Sequence, residues 1–254
     1  MLNIFNTQYG NITLYQNDIF ITGSFQKGKY WDIDNLQRLK EYIDPNKNIL
    51  EIGGHCGTSS LVYASFLNPG SKIFVYEPQR NMYNLLRVNI IQNNLENIIY
   101  PYNNAVFCKE MTGYMNNIDL DGGGGNVQKG YTEEQDKPCN FGGIGIGSNG
   151  EETKFITIDD NMNHDNIGFI HCDAQGAENF IFSKATETIK KYKPVILFEN
   201  NAKYSKYLYN SVCSAYPEYK EESTFDIARY CIRELNYRKI IRKFGKSEDD
   251  LLVP

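Results

Sequence analysis

The segment Asn48-Ile-Leu-Glu-Ile-Gly-Gly-His-Cys-Gly-Thr-Ser-Ser60 holds the first set of residues suited to chemistry. Glu51 precedes three glycines, Gly53, Gly54 and Gly57, and Thr58 and Ser59 follow. Glycines let backbone N–H groups approach a ligand with no Cβ in the way, and a turn opening into a helix adds oriented N–H groups. That chemistry is the holding of a nucleotide-sized ligand. Carboxylates then recur at the ends of apolar runs: Glu77 after Lys72-Ile-Phe-Val-Tyr76, Asp173 after Ile167-Gly-Phe-Ile-His-Cys172, and Glu199 after Pro194-Val-Ile-Leu-Phe198. Ligands of open α/β sheets sit beyond the carboxyl ends of the strands, so these acids are candidates for ligand contact and proton transfer. His171, two residues before Asp173, lies on the same side of its strand and has an ordinary pKa of ~6.5 suited to a base. The alternative is a core histidine facing a helix.

The elements that must carry these groups follow from hydrophobic period. Ile49, Leu50 and Ile52 read as a buried strand, and Leu61, Ala64 and Ser65 as the helix after it. Residues 72–78 give a second strand, Met82, Leu85, Leu86, Asn89 and Ile90 a helix, and residues 98–107 a third strand containing Asn104-Ala105. Asn104 either meets an adenine edge or makes a turn. Residues 154–160 read as an edge strand, 167–173 as a buried strand, and Ile181, Ala185, Ile189 and Tyr192 as one helix. After strand 194–200 and helix 226–235 come two closing strands, 238–244 and 249–253. The pattern is a doubly wound α/β sheet. Residues 1–32 alternate apolar and polar and are expected to form a β-hairpin extension, leaving 33–254 as one domain. Trp31 packs that extension onto the core or stacks on substrate. Residues 113–150 hold 11 of the 21 glycines and read as an insertion, partly hairpin, either a surface loop or a lid over the acceptor.

Bulk properties narrow the function classes. The chain has 254 residues, 41% hydrophobic and 22% charged, with net charge −5. That argues against nucleic-acid binding through a broad basic surface, and leaves Arg238, Lys239, Arg242, Lys243 and Lys246 as a local patch or a solvated face. Six scattered cysteines with no C-x-x-C pair, no secretory signal and no apolar run of membrane-spanning length lead us to expect a reducing, cytoplasmic setting. Three histidines give no zinc spacing, and no metal is assigned. Asp173, Glu199 and Asn200 leave an all-oxygen Mg²⁺ site open.

Dinucleotide binding is the first competitor, yet Gly53-Gly54-x-x-Gly57 departs from G-x-G-x-x-G. Glu77 lies about twenty residues past Gly57, where a carboxylate accepts ribose hydroxyls in NAD and S-adenosylmethionine sites alike; otherwise it is a solvated strand end. The acid ahead of the glycines and the antiparallel-looking closing strands point to a methyltransferase sheet. The segments Glu51-Ile-Gly-Gly-His-Cys-Gly57, Tyr76-Glu-Pro78, Thr157-Ile-Asp-Asp160, Ile167-Gly-Phe-Ile-His-Cys-Asp-Ala-Gln-Gly-Ala-Glu178 and Lys193-Pro-Val-Ile-Leu-Phe-Glu199 resemble, in order, those of the FkbM family of methyltransferases, over residues 30–254.

The resemblance implies a Class I methyltransferase (Rossmann-like) fold. Its sheet would be seven-stranded and mostly parallel, with an antiparallel C-terminal strand. It also implies S-adenosylmethionine as cofactor and methyl transfer to a hydroxyl of a sugar, glycoconjugate or other small molecule. On this reading Glu51, Gly53, His55, Gly57, Thr58 and Ser59 hold the methionine end, Glu77 and Pro78 the ribose side, and Asn104 and Ala105 the adenine side. Asp173, which also meets the cofactor, His171 and Glu199 form the transfer site. The chain departs from the family where Glu51 and Gly54-His55 replace Asp and Ala-Asn, where His171 replaces a frequent Lys, and where Gln175 replaces the Glu of Asp-x-Glu-Gly. Gln175 keeps open a non-catalytic cofactor-binding relative. An RNA 2′-O-methyltransferase is a third reading, opposed by the acidic pI and the lack of a Lys-Asp-Lys-Glu set.

Overall fold

The computed structural model describes residues 1–121 and 137–254. The chain opens with an antiparallel hairpin, β1 (Leu2–Thr7) and β2 (Gly10–Tyr15), followed by helices α1 (Ile21–Gln26) and α2 (Ile33–Leu39). Next come β3 (Asn48–Ile52), α3 (Thr58–Ala64), β4 (Ile73–Tyr76), α4 (Arg80–Gln92) and β5 (Ile99–Tyr102). Short strands β6 (Ala105–Val106), β7 (Met111–Met115), β8 (Ile146–Gly147) and β9 (Glu151–Ile156) precede α5 (Ile158–Asn161). The second half runs β10 (Ile167–Cys172), α6 (Glu178–Ser183), α7 (Thr186–Tyr192), β11 (Val195–Glu199), α8 (Lys206–Ala215), α9 (Lys220–Ser223), α10 (Ile227–Glu234), β12 (Lys239–Ile241) and β13 (Asp249–Val253).

The main sheet has seven strands in the order β12-β13-β11-β10-β3-β4-β5. β3, β4, β5, β10 and β11 are parallel, and β13 runs antiparallel to both β11 and β12. Every residue of β3 and β4 is buried, as expected of parallel strands covered on both faces. One face packs Ile49, Ile73 and Val75 against Leu61, Leu86 and the hairpin residues Ile12 and Leu14. The other packs Leu50, Ile52, Ile170 and Cys172 against Phe180 and Ile181. The chain winds away in opposite directions from β3 and β10, which opens a crevice at their carboxyl ends.

Side-chain amides of α4 dock the N-terminal hairpin. Asn89, fully buried, accepts from Thr13 N–H at 2.7 Å and donates to the carbonyls of Thr13 at 3.1 Å and Cys56 at 2.8 Å. One amide thus joins the hairpin edge to the glycine turn.

Four expectations are corrected. Residues 154–160 do not extend the main sheet: β9 pairs with β6 and β7 in a separate four-stranded sheet, β6-β9-β7-β8, and Thr157 caps α5 by accepting from Asp160 N–H. The alternation of exposed Lys154 with buried Thr153 and Phe155 is that of a half-covered strand. Residues 98–107 break at Asn103, whose amide donates to the carbonyls of Glu77 at 2.9 Å and Pro78 at 3.0 Å. The β-hairpin expected over residues 1–32 ends at Tyr15, and the chain turns into α1 at Ile21, whose N–H donates to Asp18 Oδ1 at 2.7 Å. The helix expected through Ile181 and Tyr192 is two, α6 and α7. Of the glycine-rich insertion, Gly122 to Gly125 and Gly130 lie outside the described residues.

Candidate active site

A cavity of about 420 Å³ opens at the carboxyl ends of β3, β4, β10 and β11, within the size range of small-ligand sites. Gly53, His55, Thr58 and Ser59 line it from the first turn, Glu77 and Pro78 from the end of β4, and Asn104 and Ala105 from the start of β6. His171, Asp173 and Glu199 line it from β10 and β11. Gly53 has φ +86°, and a Cβ there would stand 1.8 Å from the Asp173 carbonyl oxygen. Only glycine lets the turn press so closely against the end of β10.

Glu51 and Gly57 do not line the cavity. Glu51 is fully buried below it, where the Ser59 hydroxyl donates to one carboxylate oxygen and the Ser60 hydroxyl to the other, the latter at 2.5 Å. Gly57, at φ +91°, caps the start of α3. The acid ahead of the glycines therefore braces the turn from beneath.

Glu77 is buried, and both its oxygens accept backbone N–H groups: His55 at 2.8 Å and Gln79 at 2.7 Å. Burial nonetheless pushes its carboxyl up to about 8. Two side chains beside it carry unmet hydrogen-bonding atoms. Burial lowers the His55 ring to about 4, so it is neutral, and its Nε2 has no partner. Gln79 donates to the Phe141 carbonyl at 2.9 Å and leaves Oε1 buried without a donor. A nucleoside with hydroxyls, a base edge and an exocyclic amine suits this end of the cavity.

At the other end, the Nδ1 edge of His171 faces inward, 3.1 Å from the Tyr63 hydroxyl and 3.7 Å from Glu51 Oε1. Burial lowers the ring's pKa, but Glu51, with Asp173 and Asp249, outweighs it and raises the ring above its ordinary value. Asp173 is exposed to the cavity and accepts from Gln175 Nε2 at 3.0 Å. The same amide reaches Glu199 Oε2 at 3.4 Å, and Asn201 donates to that oxygen at 2.7 Å. Burial, then the charges of Asp173 and Glu178, push the Glu199 carboxyl well up. Asn200 donates to buried Asp250 at 2.7 Å, and is not among the residues lining the cavity.

Gln175 thus sits as a neutral bridge between two carboxylates. Gln175→Glu would replace the bridge with a further acidic group beside Asp173 and Glu199, at a cost of about 1–2 kcal/mol. The thermal midpoint is expected to fall by about 2–8 °C near neutral pH, with recovery on acidification. An unchanged midpoint at neutral pH would refute the bridging role.

Raised carboxyl pKa values make the free protein's stability depend on pH. Asp18, raised by burial to about 6, and Glu77, raised to about 8, bind their protons more tightly folded than unfolded. Their contribution is complete below the ordinary carboxylate range and is lost as pH rises through those values. A thermal midpoint that declines from about pH 4 to about pH 8 is expected by scanning calorimetry; a rising one would contradict it.

The cavity also takes in residues that motif reading left aside. Asp32 enters from the segment before α2, next to Trp31, Asp249 from the start of β13, and Gln79 from the N-cap of α4. Trp31 is 37% exposed and lies 6.5 Å from the Phe20 ring, so it lines the mouth and is not buried packing. Asp249 had one signal, an acid opening a closing strand.

A seven-stranded sheet with one antiparallel strand near its edge, and a nucleoside-sized cavity at its switch point, define a Class I α/β methyltransferase architecture. The Methyltransferase FkbM domain matches residues 51–239, and the chain belongs to that family of methyltransferases. Among solved structures it is similar to methyltransferase FkbM from Methylobacillus flagellatus KT, with 15% identity over 69% of this chain and 39% of that one, and a TM-score of 0.44. The chain therefore spans about two fifths of that protein's length. A Staphylococcus aureus protein with the provisional name caffeoyl-CoA O-methyltransferase shows 12% identity over 95% of this chain and 93% of its own, with a TM-score of 0.49. TYW2 of Pyrococcus horikoshii, solved in complex with MeSAdo, shows 17% identity over 40% and 35% of the two chains, with a TM-score of 0.33. No curated protein matches the chain.

Proposed function

We propose that the chain binds S-adenosylmethionine in this cavity and methylates a hydroxyl oxygen of a sugar or glycoconjugate. The observation that carries the reading is the sharing of one cavity by two sets of groups. Glu77, with the unmet atoms of His55 and Gln79, lies at one end, and His171 and Asp173, with Glu51 buried behind the His171 ring, at the other. The cofactor, when bound, supplies a methyl group on a sulfonium centre, which is already activated toward attack.

The protein's part is to align the acceptor and remove its proton. Glu77 is placed to accept from ribose hydroxyls, with Pro78, Asn104 and Ala105 beside the base. His171 takes the acceptor hydroxyl's proton on the ring edge turned to the cavity. Glu51 and Tyr63 hold the other edge, and Asp173 adds a negative charge that favours the imidazolium formed. Glu199, its carboxyl pushed well up by burial and by the charge of Asp173, can in its protonated form donate a hydrogen bond to the acceptor.

Among the described residues no helix is long and apolar enough to cross a membrane and no disulfide occurs, which fits a cytoplasmic enzyme. The test is incubation with methyl-labelled S-adenosylmethionine and glycans of the source organism, read by mass spectrometry. A glycan gaining one methyl mass is expected. Cofactor binding without transfer to any acceptor would favour the non-catalytic reading that Gln175 keeps open. Salt-sensitive RNA binding would revive the RNA reading.

A further inference from the structure

Six carboxylates line the cavity, Asp32, Glu77, Asp121, Asp173, Glu199 and Asp249, and no lysine or arginine is among its described lining residues. These acids come from separate segments of the chain, so no single acidic run produces them. The cavity's unmet side-chain oxygens have the same character: Gln79, only 4% exposed, leaves Oε1 without a donor, and Gln175 leaves its Oε1 buried and unpaired. A ligand that fills this space must bring hydrogen-bond donors and positive charge. The sulfonium and ammonium of the cofactor account for part of that demand, and Glu77 for its ribose. Asp32, at the mouth beside Trp31, and Asp249, beside Asp173 and His171, are left over. Burial, then repulsion from Asp173, raises the Asp249 carboxyl, a tension that a nearby cation would relieve.

We propose that the acceptor carries a protonated amine near the methylated hydroxyl, as in an aminosugar, and that Asp32 and Asp249 receive the ammonium with the Trp31 ring beside it. Phosphorylated and uronic acceptors are repelled by the same lining. An ammonium near aromatic faces and carboxylates gains from both. The inference rests on the methyl-transfer reading above and names its substrate class.

The test uses the full chain loaded with S-adenosylhomocysteine, so the cofactor's own ammonium is already in place. Calorimetric titration near neutral pH compares three probes: a glucosamine disaccharide, its N-acetylated form, and a glucuronate-containing disaccharide. The free amine is expected to bind at least about tenfold more tightly than the N-acetylated form, with the acid weakest and the preference shrinking as salt rises. The double variant Asp32→Asn, Asp249→Asn is expected to lose the preference while still binding S-adenosylhomocysteine, which reports that its fold is intact. Equal or tighter binding of the N-acetylated or acidic probe, no binding of the amine, or a preference that survives the double substitution would overturn the inference. Any of these with cofactor affinity retained leaves the methyl-transfer reading standing. Failure to bind S-adenosylhomocysteine at all overturns both.

Discussion

Glu77→Ala is expected to cut the affinity for S-adenosylmethionine about 100-fold or more. Two ribose hydroxyls donating to a buried carboxylate are each worth ~1.5–3 kcal/mol, so their loss alone removes ~3–6 kcal/mol. The substitution also strips the acceptor from the His55 and Gln79 N–H groups, which loosens the turn and the first turn of α4 together. Glu77→Gln should rescue little: both carboxylate oxygens already accept an N–H, so an amide sets its own N–H against one of them. A second consequence is proton release. Because the empty-site carboxyl lies at about 8 and hydroxyl donors favour its charged form, binding expels a proton near neutral pH. Affinity should therefore rise with pH toward about 8, and the binding enthalpy should vary with buffer ionisation heat. Full cofactor affinity in Glu77→Ala would sink the ribose assignment.

His171→Ala is expected to lower kcat by about 10²–10⁴ while cofactor affinity stays within about threefold, the usual size of a lost general base. The pH profile separates a base from a merely packed ring. Glu51 and Asp173 raise this histidine, so the rate should climb with pH through a value above the ordinary ~6.5. Glu51→Gln removes the charge behind that shift and should move the rising limb to lower pH. It also weakens the hold on Ser59 and Ser60, so some loss of stability is expected alongside. An unaltered profile in Glu51→Gln, or undiminished kcat in His171→Ala, would remove His171 from the chemistry.

Much of the architecture was legible in sequence because parallel strands buried on both faces read as continuous apolar runs, and β3, β4, β10 and β11 each have one. The acids at their ends were found for the same reason, since chain direction places them at the carboxyl edge. Less legible was where a short amphipathic strand pairs. Residues 151–156 alternate in a way that suits any half-covered sheet, and only the partners β6 and β7 set them outside the main one. Helices α8 and α9 carry no glycine or carboxylate motif and drew no notice. The depth of Glu51 was hidden too: whether an acid before a glycine turn meets ligand or braces the turn depends on Ser59 and Ser60, whose hydroxyls close over it. Asp32 and Gln79 reach the cavity through tertiary contacts with no local signature, and Asp249 carried only its place at the start of a closing strand.

The central claim is that the cavity above β3 and β4 is an S-adenosylmethionine site. Isothermal titration of the purified chain with S-adenosylmethionine, and separately with NAD, tests it most directly. Saturable one-site binding of S-adenosylmethionine, weakened about 100-fold or more in Glu77→Ala and matched by no heat from NAD, is the predicted result. No saturable binding of S-adenosylmethionine, or preferential binding of NAD, would contradict it.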